Sequence, residues 1–121
     1  LFVPWSIAFH PEVLNWIKKL NTSDYLKVRI ALEMLEVEGP MLHRPLVDHV
    51  KGSSFKNMKE LRPRGGYLRL LFAFDPNRSA IFLVAGDKRN NWNEWYEKNL
   101  PIADQRFREH LKSKERNING E

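Results

Sequence analysis

A single α+β domain is what this chain predicts, on three observations. Apolar residues alternate near the start, recur at helical spacing over residues 11–38, and alternate again in two neighbouring runs over residues 67–85 before a last helical stretch. The resulting order is strand, helix, helix, strand, strand, strand, helix. With 121 residues, 42% of them hydrophobic, the chain can bury one compact core and is too short for two.

The first strand rests on Trp5, Ile7 and Phe9, which alternate with Ser6 and Ala8. Pro11 suits the first turn of a helix, where its missing N–H would have no partner anyway, and Val13, Trp16, Ile17 and Leu20 follow at helical spacing. Asn21-Thr22-Ser23-Asp24 then interrupts with capping chemistry. A second helix is expected from about Asp24 to Glu38, with Tyr25, Val28, Ala31, Leu32 and Leu35 as its stripe and Gly39-Pro40 as its stop. The two helices form a hairpin.

Met41 to Ser54 shows no period and carries Pro45 and Gly52, so it reads as a loop leading into a strand near Phe55 to Arg62. In the next strand Leu68, Leu70, Phe72 and Phe74 share one face, and Tyr67, Arg69, Leu71 and Ala73 share the other. Asp75-Pro76-Asn77-Arg78-Ser79 reverses the chain into Ala80 to Ala85. An aromatic segment with Trp92, Trp95 and Tyr96 precedes a helix from near Pro101, along one side of which lie Ile102, Ala103, Arg106, Phe107, His110 and Leu111. Residues 1–111 are expected to be the domain, and 112–121 a flexible polar tail.

Twenty Lys and Arg against fifteen Asp and Glu give a net charge of +5, which suits a polyanionic partner as well as simple solubility. The absence of cysteine excludes a disulfide framework and a thiolate metal site, and makes a cytoplasmic home the expectation. The apolar runs Leu68 to Phe74 and Ala80 to Gly86 fall far short of the roughly 20 residues that span a bilayer. The first ten residues lack the basic start and small-residue cleavage pattern of a signal peptide. His10, His43, His49 and His110 have no spacing that presents two ligands on one turn, so no metal is expected. Gly65-Gly66 leads into a strand, not the helix that a phosphate loop requires, and no cofactor is implied.

The candidate chemistry lies between Leu61 and Tyr96. Arg69 inside an apolar strand and Lys88-Arg89 at the end of the next could meet on one sheet face and bind phosphate. The plainer alternatives are an Arg69–Glu60 ion pair, a charged strand end at Lys88-Arg89, and a turn cap at Asp87. Metal-free RNA cleavage needs a base for the 2′-hydroxyl, cations for the phosphorane and an acid for the leaving 5′-oxygen. Arg62, Arg69, Lys88 and Arg89 are candidates for the second task. Glu60, Asp87, His49 and Tyr96 are candidates for proton transfer, and Lys56, Lys59, Arg64 and Trp92 for RNA contact.

Glu60-Leu61-Arg62, the strand Gly66-Tyr67-Leu68-Arg69-Leu70-Leu71-Phe72, Ala85-Gly86-Asp87-Lys88-Arg89 with Trp92 to Tyr96, and a last helix bearing Ala103 and Arg106 resemble the RelE-like toxin superfamily, in its phage-derived HigB-type branch. The resemblance covers about residues 5–111. It implies a strand and helical hairpin packed on a mainly antiparallel twisted sheet with a C-terminal helix. It also implies a type II toxin, most such proteins being metal-independent endoribonucleases that cut mRNA, typically in the ribosomal A site. The expected partner is a helix-turn-helix, HigA-like antitoxin. Arg62 and Arg69 match basic sheet positions of the family, Lys88-Arg89 matches its basic pair after the last core strand, and Tyr96 falls near its downstream tyrosine. Met58 and Glu60 stand where the RelE branch often has lysines, and one extra residue separates Arg89 from Tyr96. Two alternatives stay open: a ParE-like gyrase inhibitor, and a nucleic-acid-binding member without catalysis.

Overall fold

The structure is a computed structural model in which residues 2–89 and 92–118 are described, with side chains as far as 115. Strand β1 (Ser6–Phe9) leads into helices α1 (Pro11–Lys18) and α2 (Thr22–Glu38), and a 3-10 turn follows at Gly39–Met41. Strands β2 (Val47–His49), β3 (Lys59–Leu61), β4 (Leu68–Phe74) and β5 (Ser79–Asp87) precede helix α3 (Trp92–Ile118). The sheet order is β1-β5-β4-β3-β2, with β1 parallel to β5 and the other pairs antiparallel.

Local chemistry sets the element ends. The His10 ring accepts the Glu12 N–H at the start of α1, where Pro11 occupies the first turn. The Asn21 side chain accepts the Asp24 N–H at 2.8 Å, so α2 starts at Thr22. Asp75 Oδ1 accepts the N–H groups of Asn77 and Ser79, closing the β4–β5 turn around Arg78 at φ 62°.

Each face of the sheet carries its own core. On one face Val13 and Ile17 of α1 and Val28, Ala31 and Leu35 of α2 bury against Leu61, Leu70, Phe72 and Phe82. The Phe72 and Phe82 rings stack there at 4.8 Å. On the other, Leu100, Ala103 and Phe107 of α3 cover Met58, Leu71, Ala73, Ile81 and Leu83. Each large apolar side chain so buried contributes about 1.5–3 kcal/mol.

Four expectations change. The stretch read as a loop contains β2, too short at three residues for an apolar period to show and recognisable only through its pairing with β3. The strand expected from Phe55 to Arg62 is confined to Lys59–Leu61, while Phe55 packs edge-on against Phe107 at 5.0 Å. Helix α3 begins at Trp92 and runs through Pro101. An interior proline costs about 3 kcal/mol, and the burial of Trp95, Tyr96 and Leu100 against the sheet offsets it. The helix also continues through residues 112–118 of the expected tail, whose last residues, 119–121, lie outside the described residues. Among the described residues, no helix is long and apolar enough to cross a membrane.

Candidate active site

Between the start of α3 and the open end of the sheet, side chains from β3, β4, β5 and α3 converge on one cationic cluster. Strand alternation places Glu60 and Arg69 on the α3 side of the sheet, because Glu60 is registered opposite Leu71 and Arg69 opposite Gly86. Glu60 is 2% exposed. Its Oε1 accepts from Arg62 Nε at 2.7 Å and Nη2 at 2.6 Å, and its Oε2 accepts the Tyr96 hydroxyl at 2.6 Å. Arg62 also reaches Asp48 Oδ2 at 3.4 Å, and that carboxylate is held by Arg44 at 3.0 Å. Burial works against the Arg62 charge, but the bond and charge of Glu60 more than offset it, so its pKa is raised. Arg62 is thus a charge fixed in place.

Arg69 is less satisfied. Its Nη1 donates to the Leu68 carbonyl at 2.8 Å and, more weakly, to that of Gly66 at 3.4 Å. Its Nε has no partner, and among the described residues it is the only buried side-chain nitrogen or oxygen in that condition. A buried donor left unpaired costs about 1–3 kcal/mol. An anion bound at this face would remove that cost.

Lys88 lies directly after β5 and is 5% exposed. Its ammonium sits 3.8 Å from the centre of the Trp92 ring and 5.4 Å from that of Tyr96. Burial, then the charge of Arg69, hold the Lys88 ammonium below the usual lysine range, with Glu60 opposing and Arg62 adding to the depression. Burial, followed by the bond and charge of Glu60, pushes the Tyr96 hydroxyl well above the usual phenol range. One tyrosine is therefore kept protonated beside one lysine made easier to deprotonate.

The close approach of α3 depends on Gly86. A Cβ there would lie 2.6 Å from the Trp95 ring nitrogen, so only glycine lets this ring approach β5 so closely at the residue paired with Arg69. Trp95 packs edge-on against Tyr96 at 5.1 Å, and that contact aims Tyr96 at Glu60.

Comparison with known proteins can now be set beside this geometry. Residues 15–108 match the family described as "Phage derived protein Gp49-like". The chain belongs to this family. It is 53% identical over 108 residues to a protein of Mycobacterium tuberculosis (strain ATCC 25618 / H37Rv) named "Putative toxin HigB3", covering 89% of this chain and 95% of that relative. It is 50% identical over 103 residues to "Putative toxin HigB2" of the same strain, covering 83% of this chain and 51% of that longer protein. It therefore spans about half of the second relative.

Among solved structures, a double-arginine mutant of the Escherichia coli toxin RelE in the free state superposes with a TM-score of 0.62 at 15% identity, over 86% of this chain and 98% of that one. RelE of an archaeal RelE–RelB complex from Pyrococcus horikoshii gives 0.59 at 14% identity, over 73% and 99%. The Gp49-like chain thus has the RelE-like fold, within its HigB-type branch.

In this Gp49-like chain the sequence-expected site residues divide by face. Arg62, Arg69, Lys88, Tyr96 and Glu60 come together, with Trp92 at the rim. Glu60 pairs with Arg62, not with Arg69 as the ion-pair alternative had it. Arg89 does not join. As the next residue along from Lys88 it turns the other way, ties to Asp87 Oδ2 at 2.6 Å and lies 5.5 Å from the Tyr67 ring. That pairing occupies Asp87 as well. His49 is registered opposite Lys59, on the alternate face from Glu60, and Lys59 reaches over Phe74 in the helical-hairpin core, so neither enters the cluster. Lys56 and Arg64 are exposed in the loops before and after β3. Sequence reading missed Asp48 and Gly86. The register of β2 reveals the first, and only the packing of Trp95 reveals the second.

Proposed function

We propose that this chain is the toxin of a type II toxin–antitoxin system and acts as a metal-independent mRNA endoribonuclease in the cytoplasm. The observation that carries the proposal is the unpartnered Arg69 Nε beside a buried Lys88 and a braced Arg62. That is an anion site built on rigid strands, with its donors already in place. Its relatives' names and their fold point the same way, and a HigA-like helix-turn-helix antitoxin is the expected partner.

In this reading Arg69 and Arg62 hold the scissile phosphate, for which a guanidinium fork is better shaped than an ammonium. Lys88, in its neutral form, takes the proton of the 2′-hydroxyl. The 2′-oxygen then bonds to phosphorus and the bond to the 5′-oxygen breaks, leaving a 2′,3′-cyclic phosphate. Tyr96 gives its proton to the departing 5′-oxygen and regains one from solvent. Glu60 orients Arg62 and Tyr96 and touches no substrate. Trp92 offers its exposed ring to a base, a contact worth about 1–3 kcal/mol.

The test is brief induction of the wild type and of Arg69→Ala at matched expression, followed by mapping of transcript 5′ ends and of protein synthesis. Codon-phased new ends would indicate cleavage on the ribosome. The expected result is such ends with the wild type and about a 100- to 1,000-fold loss of cleavage with the variant. Growth arrest with intact transcripts would overturn the nuclease reading, and a supercoiling assay would then test for a gyrase inhibitor.

A further inference from the structure

Helix α2 carries two apolar stripes, and the fold uses only one. Val28, Ala31 and Leu35 bury against the sheet. Leu26, Ile30, Met34 and Val37, continued by Met41 in the turn beyond, are between 42% and 71% exposed. Within the helix, the spacing of four, four and three keeps Leu26, Ile30, Met34 and Val37 within about 80° of arc at 3.6 residues per turn, on the side facing away from the core. A surface helix normally presents charge there, and an unbroken apolar strip of this length on a monomer marks a contact surface.

The charges beside the strip indicate what covers it. Its N-terminal half is flanked by Lys27 and Arg29, and its C-terminal half by Glu33, Glu36 and Glu38. On a helical projection Arg29, Glu33 and Glu36 fall along one flank, Lys27 and Glu38 along the other. When two copies of α2 lie antiparallel across a two-fold axis, each flank meets its own counterpart. Lys27 then faces Glu38, and Arg29 faces Glu36. Both pairings are centred on the same point, between Leu32 and Glu33. The same register sets Ile30 within a residue of Met34 and Leu26 between Val37 and the turn beyond, and it brings Glu33 beside its own counterpart at the axis, a like-charge contact that the two flanking pairs and the apolar strip outweigh. Two opposite-charge pairings on opposite flanks therefore share one two-fold centre, and the apolar register falls within a residue of it, a self-complementarity that points to a second copy of the same helix.

We infer that the outer face of α2 docks a second copy of this chain, forming an antiparallel, two-fold-symmetric dimer. The exposed Arg29–Glu33 contact within the helix, at 3.0 Å, is a weak i,i+4 pair that opens readily to admit Glu36 of the second copy. Because α2 lies across the sheet from α3, the cationic cluster at Arg69 and Lys88 stays open in the dimer. The inference does not depend on the nuclease reading.

Light scattering and sedimentation equilibrium on the purified full chain, free of any partner protein, test it. The wild type should be dimeric at tens of micromolar. Ile30→Asp, which buries a carboxylate of each copy within the apolar strip, should weaken association about 100-fold. Arg29→Glu and Glu36→Arg singly should each weaken it about tenfold, and the double variant Arg29→Glu/Glu36→Arg should recover to within about threefold of wild type. Unchanged thermal melting of the exposed-site variants separates lost association from lost folding. A monomeric wild type would overturn the inference, as would a dimer indifferent to Ile30→Asp or a charge swap that fails to restore association. A monomer whose capture by an added antitoxin is lost on Ile30→Asp would overturn it too, and would give the face to that partner.

Discussion

Gly86→Ala tests whether the approach of α3 to the sheet sets the active geometry. The added methyl would meet Trp95 at 2.6 Å from the ring nitrogen and at 3.2 and 3.3 Å from two ring carbons. Ordinary contact begins near 3.4 Å, so the ring must retreat by the difference, about 0.8 Å. No positive φ is involved at Gly86, which leaves the effect purely steric. Trp95 is sandwiched between β5 and its own helix, so the first turns of α3 move with it and carry Trp92 and Tyr96 off Lys88 and Glu60. Overpacking of this kind costs about 1–3 kcal/mol. At about 3–6 °C per kcal/mol for a domain of this size, melting should fall by roughly 3–18 °C. A displacement near 1 Å at a reacting centre costs about 100-fold in rate. Cleavage of a defined RNA should therefore drop about 100-fold at temperatures where the variant is still folded. Trp95→Phe, which withdraws the clashing nitrogen edge, should recover part of both losses in the double variant. Wild-type melting and cleavage in Gly86→Ala would refute the claim that this contact positions the site.

Lys88→Met should abolish cleavage and stabilise the fold. Because the folded state holds Lys88 below its usual pKa, the unfolded chain takes that proton more readily; the penalty is full in acid and fades as pH rises toward the ordinary lysine value of about 10.4. The variant should melt higher at neutral pH, by a margin reduced by the lost contact with Trp92 and vanishing in strong base; a lower melting point at neutral pH would contradict it. If Lys88 is the base, wild-type cleavage should also rise with pH to a plateau below the ordinary lysine range, and a flat profile would count against that role. Asp75→Asn probes the β4–β5 turn. Burial pushes this carboxyl up, but His110 at 2.9 Å and the N–H groups of Ser79 and Asn77 outweigh it and hold the pKa below the usual range. The stability it contributes is present above about pH 3.9 and is lost as pH falls through the folded value. The variant should cost about 1–3 kcal/mol in urea denaturation at neutral pH and lose less than the wild type on acidification; parallel acid profiles would contradict it.

Periodicity was enough for the elements whose burial is written in one stretch of chain. The β4 alternation, the Asp75–Ser79 turn and the α1–α2 hairpin are legible because each obeys a local rule of spacing or capping. Arg69, Lys88 and Tyr96 stood out because charge and a hydroxyl interrupt apolar patterns or follow them. Strand β2 was not legible, since three residues hold their place only by pairing with β3. The early start of α3 was hidden because Pro101 locally resembles a helix beginning, while the contacts that extend the helix backward are with the distant Gly86 and Glu60.

The sequence by itself determined the fold class, the family and the stock of cations, because these follow from composition and from patterns a few residues long. Only the tertiary structure decided which charges act together. Consecutive residues on an extended chain point to opposite sides, so Lys88 was sent into the site and Arg89 out to Asp87, and Glu60 inward while Lys59 and His49 went to the other face. The same packing turned Glu60 from a candidate base into the brace between Arg62 and Tyr96, and left Arg69 with a buried donor that nothing among the described residues satisfies. Such outcomes depend on register, and register is settled by the whole sheet with its two cores, not by any one of its strands.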